Sequence, residues 1–237
     1  MSAPNQNAVA AEFDSYQRHY AETVDAALAL PGLKVDFFTR VKVDYFIDIL
    51  TADLGDPSKL RILDVGCGIG LYHKYLSERV GELCGVDVSK ASIARARGTN
   101  ENVAYENYTG GRLPYEDNSF DAAVTICVMH HVPPASWVHF MSEMKRVVKS
   151  GGITVVFEHN PFNPLTRRIV DRCPFDADAV LLKPKTLSAL MLDAKLTEVT
   201  PRYIFSVPAA NKALRHMDRV FSRFPTGAQY YCKGRKA

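Results

Sequence analysis

The segment Leu63-Asp64-Val65-Gly66-Cys67-Gly68-Ile69-Gly70 places three glycines at alternate positions, directly after a short apolar run and directly before a helical pattern. Glycines there let the backbone turn tightly and lie against a ligand, and the start of a helix offers unpaired N–H groups. This is the local chemistry of a site for a nucleotide-like cofactor. A second apolar run ends in Asp87. A carboxylate in that place can accept hydrogen bonds from both hydroxyls of a ribose at the carboxyl edge of a parallel sheet, while Ser89 is better placed than Asp87 to cap the helix that follows. Three histidines supply acid–base potential. His130 and His131 follow a long apolar run, and His159 lies in Glu158-His159-Asn160 at the end of another. Imidazole titrates near neutrality and is the commonest general base. His130, His131 and His159 are therefore the catalytic candidates, with at most one of the adjacent pair facing a common cavity. Glu158 and Asn160 read as substrate-binding groups, or as a turn that satisfies backbone groups before Pro161. His19, His73, His139 and His216 read as helix-surface residues.

These groups are far apart in the chain, so alternating strands and helices must carry them to one edge. Apolar recurrence at three and four residues predicts helices near 9–30, 36–52, 71–79, 89–97, 134–149, 184–194 and 210–222. The helix near 134–149 is expected to stop at Ser150-Gly151-Gly152. Short apolar runs predict strands near 60–65, 82–87, 102–106, 120–128, 152–158, 196–206 and 227–233. The alternation is the sequence form of a parallel sheet with crossover helices. A length of 237 residues suits one α/β domain. Within it, 1–55 is expected to form a helical lid, 56–160 the cofactor-binding core and 161–237 a substrate-side part.

Spacing separates two cofactor classes. A dinucleotide fingerprint has its third glycine where this chain has Leu71, and the loop here reads G-x-G-x-G. With Leu63 to Gly70, Asp87, the segment Leu113-Pro114-Tyr115-Glu116-Asp117-Asn118-Ser119-Phe120-Asp121 and Val128-Met129-His130-His131-Val132, the chain resembles the class I S-adenosylmethionine-dependent methyltransferases of the small-molecule type, over about residues 40–160. The resemblance implies a Rossmann-like α/β fold. Its mostly parallel seven-stranded sheet would have an antiparallel last strand and helices on both faces. The cofactor it implies is S-adenosyl-L-methionine, leaving S-adenosyl-L-homocysteine. By resemblance, Asp64, Gly66, Gly68 and Gly70 surround the methionine part, Asp87 holds the ribose and Val88 flanks the adenine. Thr109 and Gly110 stand where the family usually has an Asp for the adenine amino group, a departure that leaves a hydroxyl and a backbone N–H to serve. The backbone carbonyl of Cys127 would lie beside the cofactor's amino group. Relatives often fold an N-terminal helix over the cofactor, which makes Tyr16 and Tyr20 substrate-side candidates, with plain core packing of that helix face as the alternative.

The implied reaction moves a methyl group to an oxygen or nitrogen of a small metabolite, such as a saccharide or natural-product intermediate. Its rate can come largely from alignment. An NAD-dependent oxidoreductase and a non-catalytic methyltransferase-like binding subunit are the alternatives. The net charge of +3 comes from 29 basic and 26 acidic residues that are interspersed, so no nucleic acid partner is expected. Arg167, Arg168 and Arg172 could meet a phosphate or carboxylate, or form a solvated basic face. Five scattered cysteines without a C-x-x-C pair suggest neither disulfides nor zinc, and no metal site is expected. No run approaches the roughly 20 apolar residues that cross a bilayer. The expectation is a cytoplasmic monomer or homodimer without membrane attachment.

Overall fold

The computed structural model describes residues 34–237, so the helix expected near 9–30, with Tyr16 and Tyr20, lies outside the described residues. The first described element is helix α1, Val35–Leu54, whose inward face carries Tyr45, Phe46, Ile49 and Leu50. It ends at Gly55, whose φ of 90° suits glycine far better than a residue with a Cβ. Strand and helix then alternate as β1 (Arg61–Val65), α2 (His73–Leu76), β2 (Glu82–Asp87), α3 (Lys90–Thr99), β3 (Ala104–Asn107), β4 (Phe120–Ile126), α4 (Trp137–Val147) and β5 (Val148–His159). The chain continues through α5 (Pro164–Val170), α6 (Pro184–Asp193), β6 (Leu196–Ile204), α7 (Lys212–Phe221) and β7 (Gln229–Lys236).

The seven strands form one sheet in the order β3-β2-β1-β4-β5-β7-β6. The first five are parallel to their neighbours, and β7 inserts antiparallel between β5 and β6. This is the Rossmann-like architecture of class I methyltransferases, with the antiparallel last strand in its expected place. Side chains alternate across the sheet. Ile62, Val124, Ile153, Val155 and Phe157 pack with Phe46 and Leu50 of α1 and Ile93 of α3 in one core. Leu63, Val65, Ala123 and Val156 pack with Met141 and Met144 of α4 and Leu187 and Met191 of α6 in the other. Full burial of each such side chain contributes about 1.5–3 kcal/mol, so both faces of the sheet are held by helices.

Two boundaries differ from expectation for physical reasons. Helix α4 stops at Val147 and β5 begins at once, so Gly151 and Gly152 lie inside the strand and do not end the helix. The register jumps there from Phe120↔Val148 to Ala122↔Ile153, and a Cβ on Gly152 would meet the Asp121 carbonyl oxygen at 2.5 Å. The glycines make a bulge that re-registers the strand. Strand β4 ends at Ile126, before the expected 128, because Cys127 turns into the left-handed region with φ 57°. No helix among the described residues is long and apolar enough to cross a membrane.

Candidate active site at the carboxyl edge of the sheet

Parallel strands bring their carboxyl ends to one edge, and a crevice opens where the order reverses, here between β1 and β4. The glycine loop leaves β1 at that point. Gly66, Gly68 and Gly70 all have positive φ, at +79°, +52° and +72°. A Cβ on Gly66 would meet the Val128 side chain at 2.6 Å and one on Gly70 the Tyr105 hydroxyl at 2.5 Å, whereas Gly68 faces open space. The Gly68 N–H donates to Asp87 Oδ2 at 2.8 Å, and the Ser89 N–H donates to Oδ1 at 2.8 Å. Burial pushes the Asp87 carboxyl up to about 6, against the pull of those N–H groups. Ser89 caps α3 by accepting from the Ser92 N–H at 3.0 Å, which leaves Asp87 for the edge. Asn107 fixes the same turn by donating to the carbonyls of Asp87 (2.8 Å) and Val88 (3.0 Å). Beyond β3, Gly110 lines a small cavity with Val65, Tyr108, Leu113, Phe140 and Glu143, and the neighbouring Thr109 is exposed.

Beneath the loop the structure corrects one expectation. His73 is fully buried, not on a helix surface, with Nε2 2.9 Å from Asp64 Oδ2 and Nδ1 2.5 Å from the Tyr105 hydroxyl. The other Asp64 oxygen, Oδ1, is buried without a hydrogen-bond partner. On the facing helix Lys42 is 4 % exposed, with its ammonium over the Tyr72 ring and 3.6 Å from Cys127 Sγ. Burial alone would push the Cys127 thiol up, but Lys42 and His159 outweigh it and leave the thiol at about 7. An orphan carboxylate oxygen and a buried ammonium at one crevice match the two charges of an amino-acid zwitterion.

The acceptor side is built from histidines and carboxylates. His130 and His131 sit in the turn after β4, with ring centroids 4.1 Å apart. His130 Nδ1 lies 2.6 Å from Glu158 Oε2 and its Nε2 3.4 Å from Asp176 Oδ1. Burial opposes the charged ring, but Glu158 and Asp176 raise the His130 pKa well above its ordinary value. His131 Nε2 is also 3.4 Å from Asp176 Oδ1. Burial and the charge on His130 push His131 down to about 3. His159 stands 5.2 Å from His130 between ring centroids, and its Nδ1 is 3.3 Å from Gln229 Nε2. Thus all three candidate histidines and Glu158 come together. Asn160 does not join them through its side chain. Its amide donates to the carbonyls of Pro225 and Gly227 and accepts from the Phe162 N–H, closing the turn after β5. Arg167, Arg168 and Arg172 are exposed.

Lys42, Tyr72, Asn107, Asp176 and Gln229 were not among the sequence candidates. Lys42 had a readable signal, because Thr39, Lys42, Phe46 and Ile49 share helical spacing and so place a charge on a buried stripe. Gln229 opens the last strand opposite His159, a pairing that only the antiparallel register provides. Asp176, in a proline-rich stretch, has no such signal.

Residues 63–156 match the family model described as a methyltransferase domain. Among curated proteins, the chain is 39 % identical over 124 residues to a ubiquinone biosynthesis O-methyltransferase of Alkalilimnicola ehrlichii, an alignment covering 50 % of this chain and 49 % of that protein. The chain spans about half the length of that relative. Among solved structures it is similar to an S-adenosylmethionine-dependent methyltransferase of Thermotoga maritima, described as a possible histamine N-methyltransferase. The TM-score is 0.68 at 18 % identity, covering 95 % of this chain and 98 % of that one. The [4+2]-cyclase SpnF has the same fold, with a TM-score of 0.65 at 17 % identity, covering 100 % of this chain and 98 % of that one.

Proposed function

Starting from a chain whose residues 63–156 match a methyltransferase domain, we propose that it is a class I S-adenosylmethionine-dependent methyltransferase that binds S-adenosyl-L-methionine in the crevice between β1 and β4 and transfers the methyl group to an oxygen or nitrogen of a small molecule. The observation that carries this reading is the contact between the Gly68 N–H and the Asp87 carboxylate, which closes the glycine-rich loop onto the acid at the neighbouring strand end. Each Asp87 oxygen accepts one backbone N–H and retains capacity for one ribose hydroxyl. Asp64 Oδ1 would take the cofactor's ammonium and Lys42 its carboxylate. Val88, Thr109 and Gly110 border the adenine end, where the cavity beside Tyr108 is mostly apolar.

When bound, the cofactor supplies an electrophilic methyl group on a sulfonium. The chain's own work is alignment and proton handling. His130, held between Glu158 and Asp176, is a positioning residue, His131 stays neutral beside it, and His159 borders the acceptor's reacting atom and receives its proton. The O-methyltransferase relative favours oxygen as the acceptor atom. Five free cysteines suit the reducing conditions of the cytoplasm.

Calorimetric titration with S-adenosyl-L-homocysteine tests the cofactor assignment, and mass-spectrometric detection of methylated products from hydroxylated and amino-bearing metabolites tests the reaction. Asp87→Asn should weaken homocysteine-product binding about 10–100-fold, the worth of one or two hydrogen bonds to a charged group. In the wild-type chain a protonated Asp87 loses acceptor capacity, so affinity should be flat above about pH 6 and fall below it, levelling off at about the 10–100-fold loss of the Asn variant. The Asn variant should lack that slope. Unchanged affinity in Asp87→Asn would refute the assignment.

A further inference from the structure

One ring nitrogen each of His130 and His131 and one oxygen of Asp176 converge so that the three ligand atoms lie within 4.8 Å of one another. They come from two separated parts of the chain, the turn after β4 and the turn Pro174–Asp176. Both Nε2···Oδ1 separations are 3.4 Å, well beyond the roughly 2.7–2.9 Å of a charge-assisted hydrogen bond. Bonds of about 2.0–2.2 Å from a tetrahedral divalent ion would set its ligand atoms about 3.3–3.5 Å apart, which is the spacing of both histidine–Asp176 pairs.

The surroundings favour an ion as well. A metal-bound histidine characteristically donates its other ring N–H to a carboxylate, which fixes the ring and turns the free nitrogen toward the metal. Glu158 does this for His130. It is fully buried, its Oε2 lies 2.6 Å from Nδ1, and its Oε1 accepts the His130 backbone N–H at 3.3 Å. His131 and Asp176 each keep 12 % side-chain exposure, so solvent reaches the cluster.

We propose that His130, His131 and Asp176 form a three-ligand site for a first-row divalent transition ion of the zinc type, oriented by Glu158, with its fourth position open to the crevice. Two imidazoles and one carboxylate suit such ions better than magnesium or calcium. Three protein ligands with a vacant fourth position are the pattern of catalytic rather than structural sites. In a role that rests on the methyl-transfer reading above, the ion would bind an acceptor hydroxyl. It would lower the pKa of that hydroxyl so that the proton passes to His159 while the oxygen attacks the methyl carbon and the sulfonium leaves as a thioether. That selects hydroxylated acceptors over amines.

The test uses the full chain, stripped with a chelator and titrated with Co2+, whose visible absorption reports tetrahedral coordination. The expected result is one Co2+ per chain with tetrahedral bands, displaced by Zn2+. Asp176→Asn and His131→Gln, each checked for folding by circular dichroism, should weaken uptake by more than the ~10–100-fold expected of Glu158→Gln. Less than one Co2+ per wild-type chain, or equal affinity in folded Asp176→Asn and His131→Gln, would overturn the site. S-adenosyl-L-homocysteine titrated in parallel separates the two readings. Co2+ uptake without homocysteine-product binding defeats the cofactor assignment alone, and the reverse result defeats the metal site alone.

Discussion

At the scale of single residues the crevice is defined by charges that lack ordinary partners. Lys42 is a buried cation that meets only sulfur and an aromatic face among the described contacts, and Asp64 keeps one oxygen unsatisfied. A buried charge without a compensating partner is costly, so both persist where a ligand can complete them. Cys127 reports on this pair. Its thiol at about 7 is half thiolate near neutral pH, so alkylation by iodoacetamide should follow an apparent pKa near 7. Lys42→Met removes the largest group holding it down and should move that midpoint upward by at least about one unit. A midpoint unchanged by the substitution would mean that Lys42 does not face the thiol in solution. Bound S-adenosyl-L-homocysteine should slow the same reaction.

At the scale of elements, the C-terminal helix α7 is tied to the crevice helix α1. Arg215 reaches Asp44 at 2.6 Å and Asp48 at 3.3 Å, and Arg219 reaches Asp48. The stronger tie is Asp218, which is fully buried. It accepts the Tyr45 hydroxyl at 2.5 Å and the N–H groups of Phe205, Ser206 and Val207 at 2.7–3.0 Å. Phe205 has a φ of 63°, a conformation that these bonds hold in place. Asp218→Ala would leave three N–H groups and a phenol without their acceptor. Each orphan costs about 1–3 kcal/mol, so denaturant unfolding should show a loss of at least about 3 kcal/mol. A loss below about 1 kcal/mol would show that water replaces the carboxylate. Since α7 packs on α1 and α1 carries Lys42, the same variant should also weaken cofactor-product binding.

At the scale of the whole molecule, one sheet separates two apolar cores that share no side chain. Ile93 belongs to one and Leu187 to the other. Ile93→Val should cost about 0.5–1.5 kcal/mol and Leu187→Ala about 2–5 kcal/mol. Sites on opposite faces with no common partner should add to within about 0.5 kcal/mol in the double variant, as read from denaturant midpoints. Clear non-additivity would mean that the cores communicate through the sheet. The same architecture explains the site's location. The parallel strands end at one edge, and antiparallel β7 begins there, which is why Gln229 meets His159.

The order of strands and helices, the glycine loop and Asp87 at its strand end were legible in the sequence, because backbone geometry and hydrophobic periodicity are local and leave local marks. The histidines were legible as types but not as roles. That His130 reaches Glu158 while both rings converge on Asp176 depends on the twist of a short turn and on a loop returning from more than forty residues away. His73 was misread because α2 is a single turn, too short to show a periodic buried face. Asp176, Gln229 and Asp218 acquire their partners only when distant segments meet, and a partner across space has no signature in a single chain's spacing. Tertiary structure therefore decided the electrostatics of the site, while the sequence alone decided where along the sheet that site would be.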